Sequence, residues 1–539
     1  MGSHIKLLKR LAAIPSGAEE ARPNLVLLVV CSAMFLDLSN LSAVTIALPA
    51  IGEQLHTDQV KLQWVISAYA LTFGSFLILG GRGGDIFGHR RVLLFGSYFF
   101  SLFTLVSALA PTFTALALVI ARAFQGIGAG FTIPSAQAHV AIYFPSPGER
   151  AKALGFWAAA GSVGFIVGLI LGGVLTALLN WRWIFWISLI LSAIVVPSAH
   201  VFLPRAKTAR SPAAHGNTNE EREEKKLSRS IKAHMIRFDV LGICLGVPSL
   251  LLLTYALTSA NTAGWGSPSI ISTLAISSLL LLLFALHESR ASQALINTRL
   301  FRPSFTLTLI LAVATYAVRQ ACSYFLTLQI QSYGSSPLHT SLLFLPVGIS
   351  ALVTNTIAGR FVPLLGARAM FIIGWALCIP GVALFSFITH QTSYWHFTFP
   401  GMILYIAGLG VVYITANFVV ISSASKSDQG VVAGVFNVAL QVGGSVLGLA
   451  VLTSVADGVN RKYGDGKAGV LSLVGYQSVY YSCIILCAVA LVLSLVIEVP
   501  DAMKGSLWNK PDQEPTAQQV KTRDEMKPQQ RAETATEMK

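Results

Sequence analysis

Gly81-Arg82-Gly83-Gly84-Asp85-Ile86-Phe87-Gly88-His89-Arg90-Arg91 separates two long apolar runs, residues 62–81 and 91–111, and its reading decides the fold. Runs of that length match the roughly 20 residues a helix needs to cross a bilayer. The polar stretch between them therefore reads as a short connection held at one membrane face. Glycine permits positive φ and a tight turn, and Asp85 can cap or pair with a neighbouring helix end, latching one conformation. The same composition also suits a plain turn.

Working outward, the whole chain follows this plan. Of its 539 residues 54% are hydrophobic and 12% charged, against roughly 25% charged in an ordinary soluble domain. In lipid only helices and closed barrels satisfy every backbone polar group, and the runs here are far longer than barrel strands. Fourteen runs are expected to span, near 25–47, 62–81, 91–111, 113–135, 150–177, 182–203, 238–258, 269–287, 304–332, 339–362, 368–388, 395–420, 430–455 and 474–498. With the N-terminus inside, 31 basic residues fall on the cytoplasmic side and five outside. That bias predicts both termini cytoplasmic. The net charge of +14 is then expected to face an anionic leaflet, and no nucleic acid is expected as a partner.

The first run is too long for a cleaved signal peptide and reads as a signal anchor. The six cysteines fall inside predicted helices, so no disulfide framework, metal site or catalytic thiol is expected. No cofactor is expected either, and the absence of a P-loop pattern means that uphill movement would draw on a gradient.

The opening stretch returns. Gly81-Arg82, Gly88 and Arg90 reappear at an offset of 278 as Gly359-Arg360, Gly366 and Arg368. Gly155, Trp157, Ala160 and Gly164 reappear at an offset of 279 as Gly434, Phe436, Ala439 and Gly443. These echoes predict an all-α membrane protein of two six-helix halves, residues 25–203 and 304–498, with an inserted helix pair at 238–287. Residues 1–24 form a cytoplasmic N-terminal segment, 204–237 a charged linker with a surface helix, and 499–539 a polar tail expected to be disordered. Repeats of this kind commonly place a substrate site near the midplane, between the halves.

Asp37, Arg122 and Arg319 are the charges placed deep within spans, where an ionisable group is costly and points to function. With a helical rise of about 1.5 Å per residue, all three fall near the midplane. Asp37 is expected to alternate between a protonated form and one paired with Arg122 or with substrate, since apolar surroundings disfavour a bare charge and a guanidinium favours it. A purely structural pair pinning the first and fourth spans is the competing reading. Polar or aromatic groups near mid-span, Asn40, Tyr69, Gln125, Trp157, Tyr324, Asn417, Asn437 and Gln441, are candidates to touch substrate, with Arg319 read equally as an anchor for anionic groups, a balancing charge or an interhelical structural bond. Asn437 and Gln441, four apart, are expected on one helix face. His89, His139, His200 and His287 are expected at the cytoplasmic interface.

The connection G-x-x-x-D-x-x-G-x-R-R, from Gly81 through Asp85, Gly88, Arg90 and Arg91, resembles that between helices two and three of the major facilitator superfamily. LVIARAFQGIGAG at 118–130 is similar to the family's fourth-helix motif, and GSVGFIVGLILGG at 161–173 to the fifth-helix motif of its antiporters. LDLSNLSAVTIALP at 36–49 and FLTLQIQSYGSSPLHTSLLFLP at 325–346 are similar to the fourteen-helix drug:proton antiporter group. The resemblance covers residues 25–498, although Leu169 stands where those antiporters carry proline. It implies a proton-coupled exporter of small amphiphilic compounds, fungal in style, working by alternating access. Gly164, Gly168, Gly172 and Gly173 would form a close-packed, sliding helix face. It further implies a monomer in the plasma membrane, ahead of the vacuolar membrane, with small-molecule substrate and protons as partners. An importer of siderophores or nutrients and a non-transporting receptor or scaffold are the alternatives; an enzyme is not expected.

Overall fold

The computed structural model describes residues 23–55, 59–109, 115–204, 239–291, 294–296, 300–425, 428–464 and 471–497. The expectations for residues 1–22, for the linker beyond 204 up to 238 and for the tail lie outside these. Among the described residues, fourteen helices are long and apolar enough to cross a membrane. They are α1 (Pro23–Leu55), α2 (Gln59–Phe87), α3 (His89–Leu109), α4 (Ala115–Tyr143), α5 (Pro147–Leu178), α6 (Arg182–Phe202) and α7 (Val240–Ala263). The rest are α8 (Pro268–Arg290), α9 (Pro303–Ser332), α10 (Leu345–Leu365, entered through a short helix Pro337–Leu343), α11 (Ala367–Phe385), α12 (Thr398–Ser422), α13 (Gln429–Tyr463) and α14 (Leu473–Val496).

The glycine-rich stretch is helix, not an open loop. α2 continues through Phe87 and α3 starts at His89, so Gly88 alone makes the turn, at φ 93°. Its echo Gly366 turns α10 into α11 at φ 80°. Both conformations suit glycine because it lacks a Cβ. Arg90 and Arg368 play matching parts: Arg90 Nη2 donates to the His200 carbonyl at 2.8 Å near the end of α6, and Arg368 Nη2 to the Leu495 carbonyl near the end of α14. Each guanidinium thus meets the negative end of a helix dipole.

α4 runs eight residues past the expected end near residue 135, because Pro134 lies inside it. Membrane helices tolerate proline when neighbours satisfy the freed backbone. As a result Arg122 sits about 10 Å from the start of α4 and about 30 Å from its far end, level with Asn40 near the middle of α1.

The glycines of α5 back onto α1. A Cβ at Gly164 would stand 2.5 Å from the Phe35 carbonyl oxygen, one at Gly172 2.6 Å from that of Ala43, and one at Gly168 would collide with Ser39 and Ser42. Small residues thus let two backbones touch, within the first half and on the side of α1 away from Asp37, which turns toward Tyr69. Gly173 is half-buried. The largest contacts between the halves are those of α2 with α13 and of α5 with α10. A Cβ on Gly81 would strike the Gly430 carbonyl, and one on Gly155 would lie 2.7 Å from the Asn355 oxygen and 3.3 Å from Gly359 Cα. The inserted pair α7 and α8 pack on each other, and α7 rests on α2 and α13.

Within α13 the winding changes. Gln429–Val438 and Leu449–Tyr463 are α-helical, but Ala439–Gly448 is a π-helix. Asn437 and Gln441 therefore lie on either side of the change in winding.

Candidate functional site: a tyrosine between a carboxylate and a guanidinium

Asp37 and Arg122 are both buried, the arginine completely. No ion pair joins them; Tyr69 of α2 stands between. Its hydroxyl donates to Asp37 Oδ1, and the Arg122 guanidinium lies over its ring, 4.4 Å from the centroid. The expected direct pair is thus replaced by a bridge: a hydrogen bond on one side and a cation–π contact on the other.

Arg122 is held on further sides. Its Nε donates to the Val65 carbonyl at 3.1 Å, and its Nη1 to Asn40 Oδ1 at 2.7 Å and Gln125 Oε1 at 2.5 Å. Asn40 Nδ2 donates to Ser188 Oγ at 3.1 Å and Gln125 Nε2 to Thr104 Oγ1 at 2.8 Å. The network therefore ties α1, α2, α3, α4 and α6 together around one cation. Asn40, Tyr69 and Gln125 belong to this network. Nη2 of Arg122 is buried without a hydrogen-bond partner among the described residues. Beside Asp37, on the side of α3, α4 and α6, a cavity of ≈ 20 Å³ is lined in part by Ser97, Thr132 and Ser192. A space of that size holds about one water molecule.

A second polar cluster crosses between the halves. Gln137 Nε2 of α4 donates to Asn417 Oδ1 of α12 at 2.6 Å, and Asn437 Nδ2 of α13 donates to Gln137 Oε1 at 2.7 Å. Asn417 lies five residues from the end of α12 and Asn437 eight from the start of α13, so both sit toward one end of the bundle and not at its middle. Asp85 belongs to the same end. Its carboxylate accepts the backbone N–H groups of Gly430 and Val431, at 2.9 and 2.8 Å, which are otherwise unsatisfied donors at the start of α13. His89 Nε2 lies 3.2 Å from the same carboxylate. His139, expected at the interface, is buried, its ring 6.0 Å from that of His89.

The remaining candidates are scattered. The Arg319 guanidinium lies over the Tyr316 ring at 4.4 Å, with Tyr413 next to Tyr316 at 5.9 Å and Phe436 next to Tyr413 at 6.2 Å. This aromatic group stands apart from Asp37. Trp157 is wholly enclosed in the apolar core, whereas Tyr324 is 42% exposed on α9. Gln441 lies against Gly74 of α2. Sequence reasoning missed Gln137, Thr104 and Ser188. Gln137 carried a signal, an uncharged polar side chain in the Ala-rich end of an apolar helix.

A family profile described as Major Facilitator Superfamily matches residues 30–448. The chain is 31% identical over 445 residues to the puromycin resistance protein pur8 of Streptomyces alboniger, covering 81% of this chain and 82% of that protein. It is 28% identical over 489 residues to the efflux pump terJ of Aspergillus terreus, covering 89% and 88%. Among solved structures, the human organic anion transporter MFSD10 superposes with a TM-score of 0.60 at 19% identity, over 88% of this chain and 99% of that one, which speaks to the fold alone. With fourteen membrane-length apolar helices among the described residues, Asp85 bound to the start of α13 and a profile match over most of its length, this chain is a multi-pass membrane transporter, not an enzyme, and belongs to the major facilitator superfamily.

Proposed function

We propose that the protein exports small amphiphilic compounds in exchange for protons, by alternating access between residues 25–203 and 304–498. The carrying observation is the buried Asp37, joined through Tyr69 to Arg122. A proton arriving on Asp37 removes its charge, changes the hydrogen bond from Tyr69 and so alters what holds α1, α2 and α4 together. The names of the resistance and efflux relatives favour export over import. In this reading the Asp85 end is the cytoplasmic one, closed here, and both termini share that side. Arg319 with its aromatic neighbours receives substrate from the second half. Protons, substrate and lipid are the partners, the monomer is the working unit, and the plasma membrane is its place.

The test is substrate-driven proton movement in proteoliposomes of fixed orientation, comparing the wild type with Asp37→Asn over a panel of lipophilic compounds. Outward substrate flux coupled to protons and lost in the variant is the expected result. Coupled flux that survives Asp37→Asn sinks the role of this carboxylate, and inward flux sinks export.

A further inference from the structure

The inserted pair encloses a space of its own. α7 and α8 form with α2 and α13 a cavity of ≈ 250 Å³, walled by Ile78, Leu79, Val247, Leu250, Phe284 and Val438 among others. That is close to the lower end of ligand pockets, roughly 300 Å³, and the wall is almost wholly apolar. Gly242 and Ile296 also line it, and both adjoin Glu288 near the end of α8. Glu288 Oε2 accepts the Ile296 N–H at 3.0 Å, and Oε1 lies 2.9 Å from where a Gly242 Cβ would stand.

Glu288 is only 6% exposed, and its Oε1 has no hydrogen-bond partner among the described residues. The adjacent acid is fully used: Asp239 accepts the Gly242 N–H at 2.9 Å, and both its oxygens lie 2.8 Å from His287 Nε2. A buried acceptor left unsatisfied is costly, and a donor that also carries positive charge offsets that cost most strongly. An anionic head would instead meet two carboxylates.

We propose that this cavity is a second binding site, for a lipophilic amine whose apolar body lies among α2, α7, α8 and α13 and whose ammonium donates to Glu288 Oε1. The ammonium has two sources, a free amphiphilic amine or an aminophospholipid, and the site is placed to take either from the membrane side.

The full chain in phosphatidylcholine nanodiscs, labelled with a photoreactive diazirine decylamine and mapped after digestion, tests this. Label is expected on α7, α8 or the facing residues of α2 and α13. Decylamine should compete with it at least tenfold better than decanoate. Glu288→Gln should weaken labelling about tenfold, the usual effect of removing a charged hydrogen-bond partner, and Val247→Phe, which fills the cavity, should abolish it. Label elsewhere, equal competition by decylamine and decanoate, or labelling unmoved in a well-folded Glu288→Gln protein overturns the proposal. If either variant misfolds, the wild-type map and competition decide alone. Competition by added phosphatidylethanolamine identifies the lipid as the source; its failure to compete identifies the free amine.

Discussion

At α2/α13, Gly434 approaches the Leu77 carbonyl, a Cβ there standing 2.6 Å from the oxygen, and Gly81 abuts Gly430; at α5/α10, Gly155 approaches Asn355 and Gly359 approaches Ala151, with corresponding distances of 2.7 and 2.6 Å. These are the same contacts made twice, since Leu77 and Asn355 are 278 apart in numbering and Ala151 and Gly430 are 279 apart. What differs is the residue beyond the glycine. Asp85 binds two N–H groups at the start of α13, while its counterpart in the repeat is Pro363, whose ring has no donor or acceptor to offer and would lie 4.0 Å from a Cβ on Gly148 of α5. Shape closes both contacts, but charge holds only one. A carboxylate on two helix-terminal donors contributes about 2 kcal/mol or more, so we propose that α2/α13 acts as a latch and α5/α10 as a bearing.

The glycines carry the largest expected effect. Gly81→Val and Gly359→Val should each cut transport by more than about a hundredfold, because a backbone contact cannot admit the side chain and the closed state is lost. Flux assays, with spin-label distances across the Asp85 end, measure this. An effect at one site and none at the other would break the equivalence.

Asp85→Asn comes next, at about 2 kcal/mol, or about thirtyfold in the open-to-closed ratio by the same distances. Pro363→Ala should change that ratio by less than about twofold. Equal responses would remove the distinction between latch and bearing.

Gln137→Leu should shift the ratio by about 1 kcal/mol, with Asn417 and Asn437 each losing a partner. The shift should roughly add to that of Asp85→Asn in the double variant, since independent contacts add.

The smallest effect is expected from Arg90→Leu and Arg368→Leu, about 0.5 kcal/mol each, read as similar small losses of thermal stability. A markedly larger loss at one of them would show that the two turns are unequal.

Much of this was legible beforehand. Length and apolarity alone marked the fourteen helices, and the echoes placed Gly88 and Gly366 at matching turns. Other parts depended on rotation about helix axes, which hydropathy does not report. Asp37 and Arg122 could be brought to similar depth by counting residues, but counting could not put Tyr69 between them. Arg82 and Asp85 read as loop because charge near a membrane face looks like an end. They are helical because glycines on the same turns let α13 approach and its free N–H groups meet Asp85. Gln137 was passed over since one amide in an Ala-rich helix says nothing of two other amides far along the chain.

The π-helical stretch of α13 records an unequal length between the halves. Gly164 lies against Phe35 and Gly168 against Ser39; in the second half Gly444 lies against Val313 and Gly448 against Ala317. Phe35 and Val313, like Ser39 and Ala317, are 278 apart, yet the facing glycines are 280 apart, while Gly155 and Gly434 are 279 apart. One residue has entered between Gly434 and Gly444. The i→i+5 winding of Ala439–Gly448 lodges that insertion within its wider turns, so the glycine face still meets α9. The pairing of Gly164 with Gly443 is off by that single residue, and the repeat is one of shape where it is no longer one of numbering.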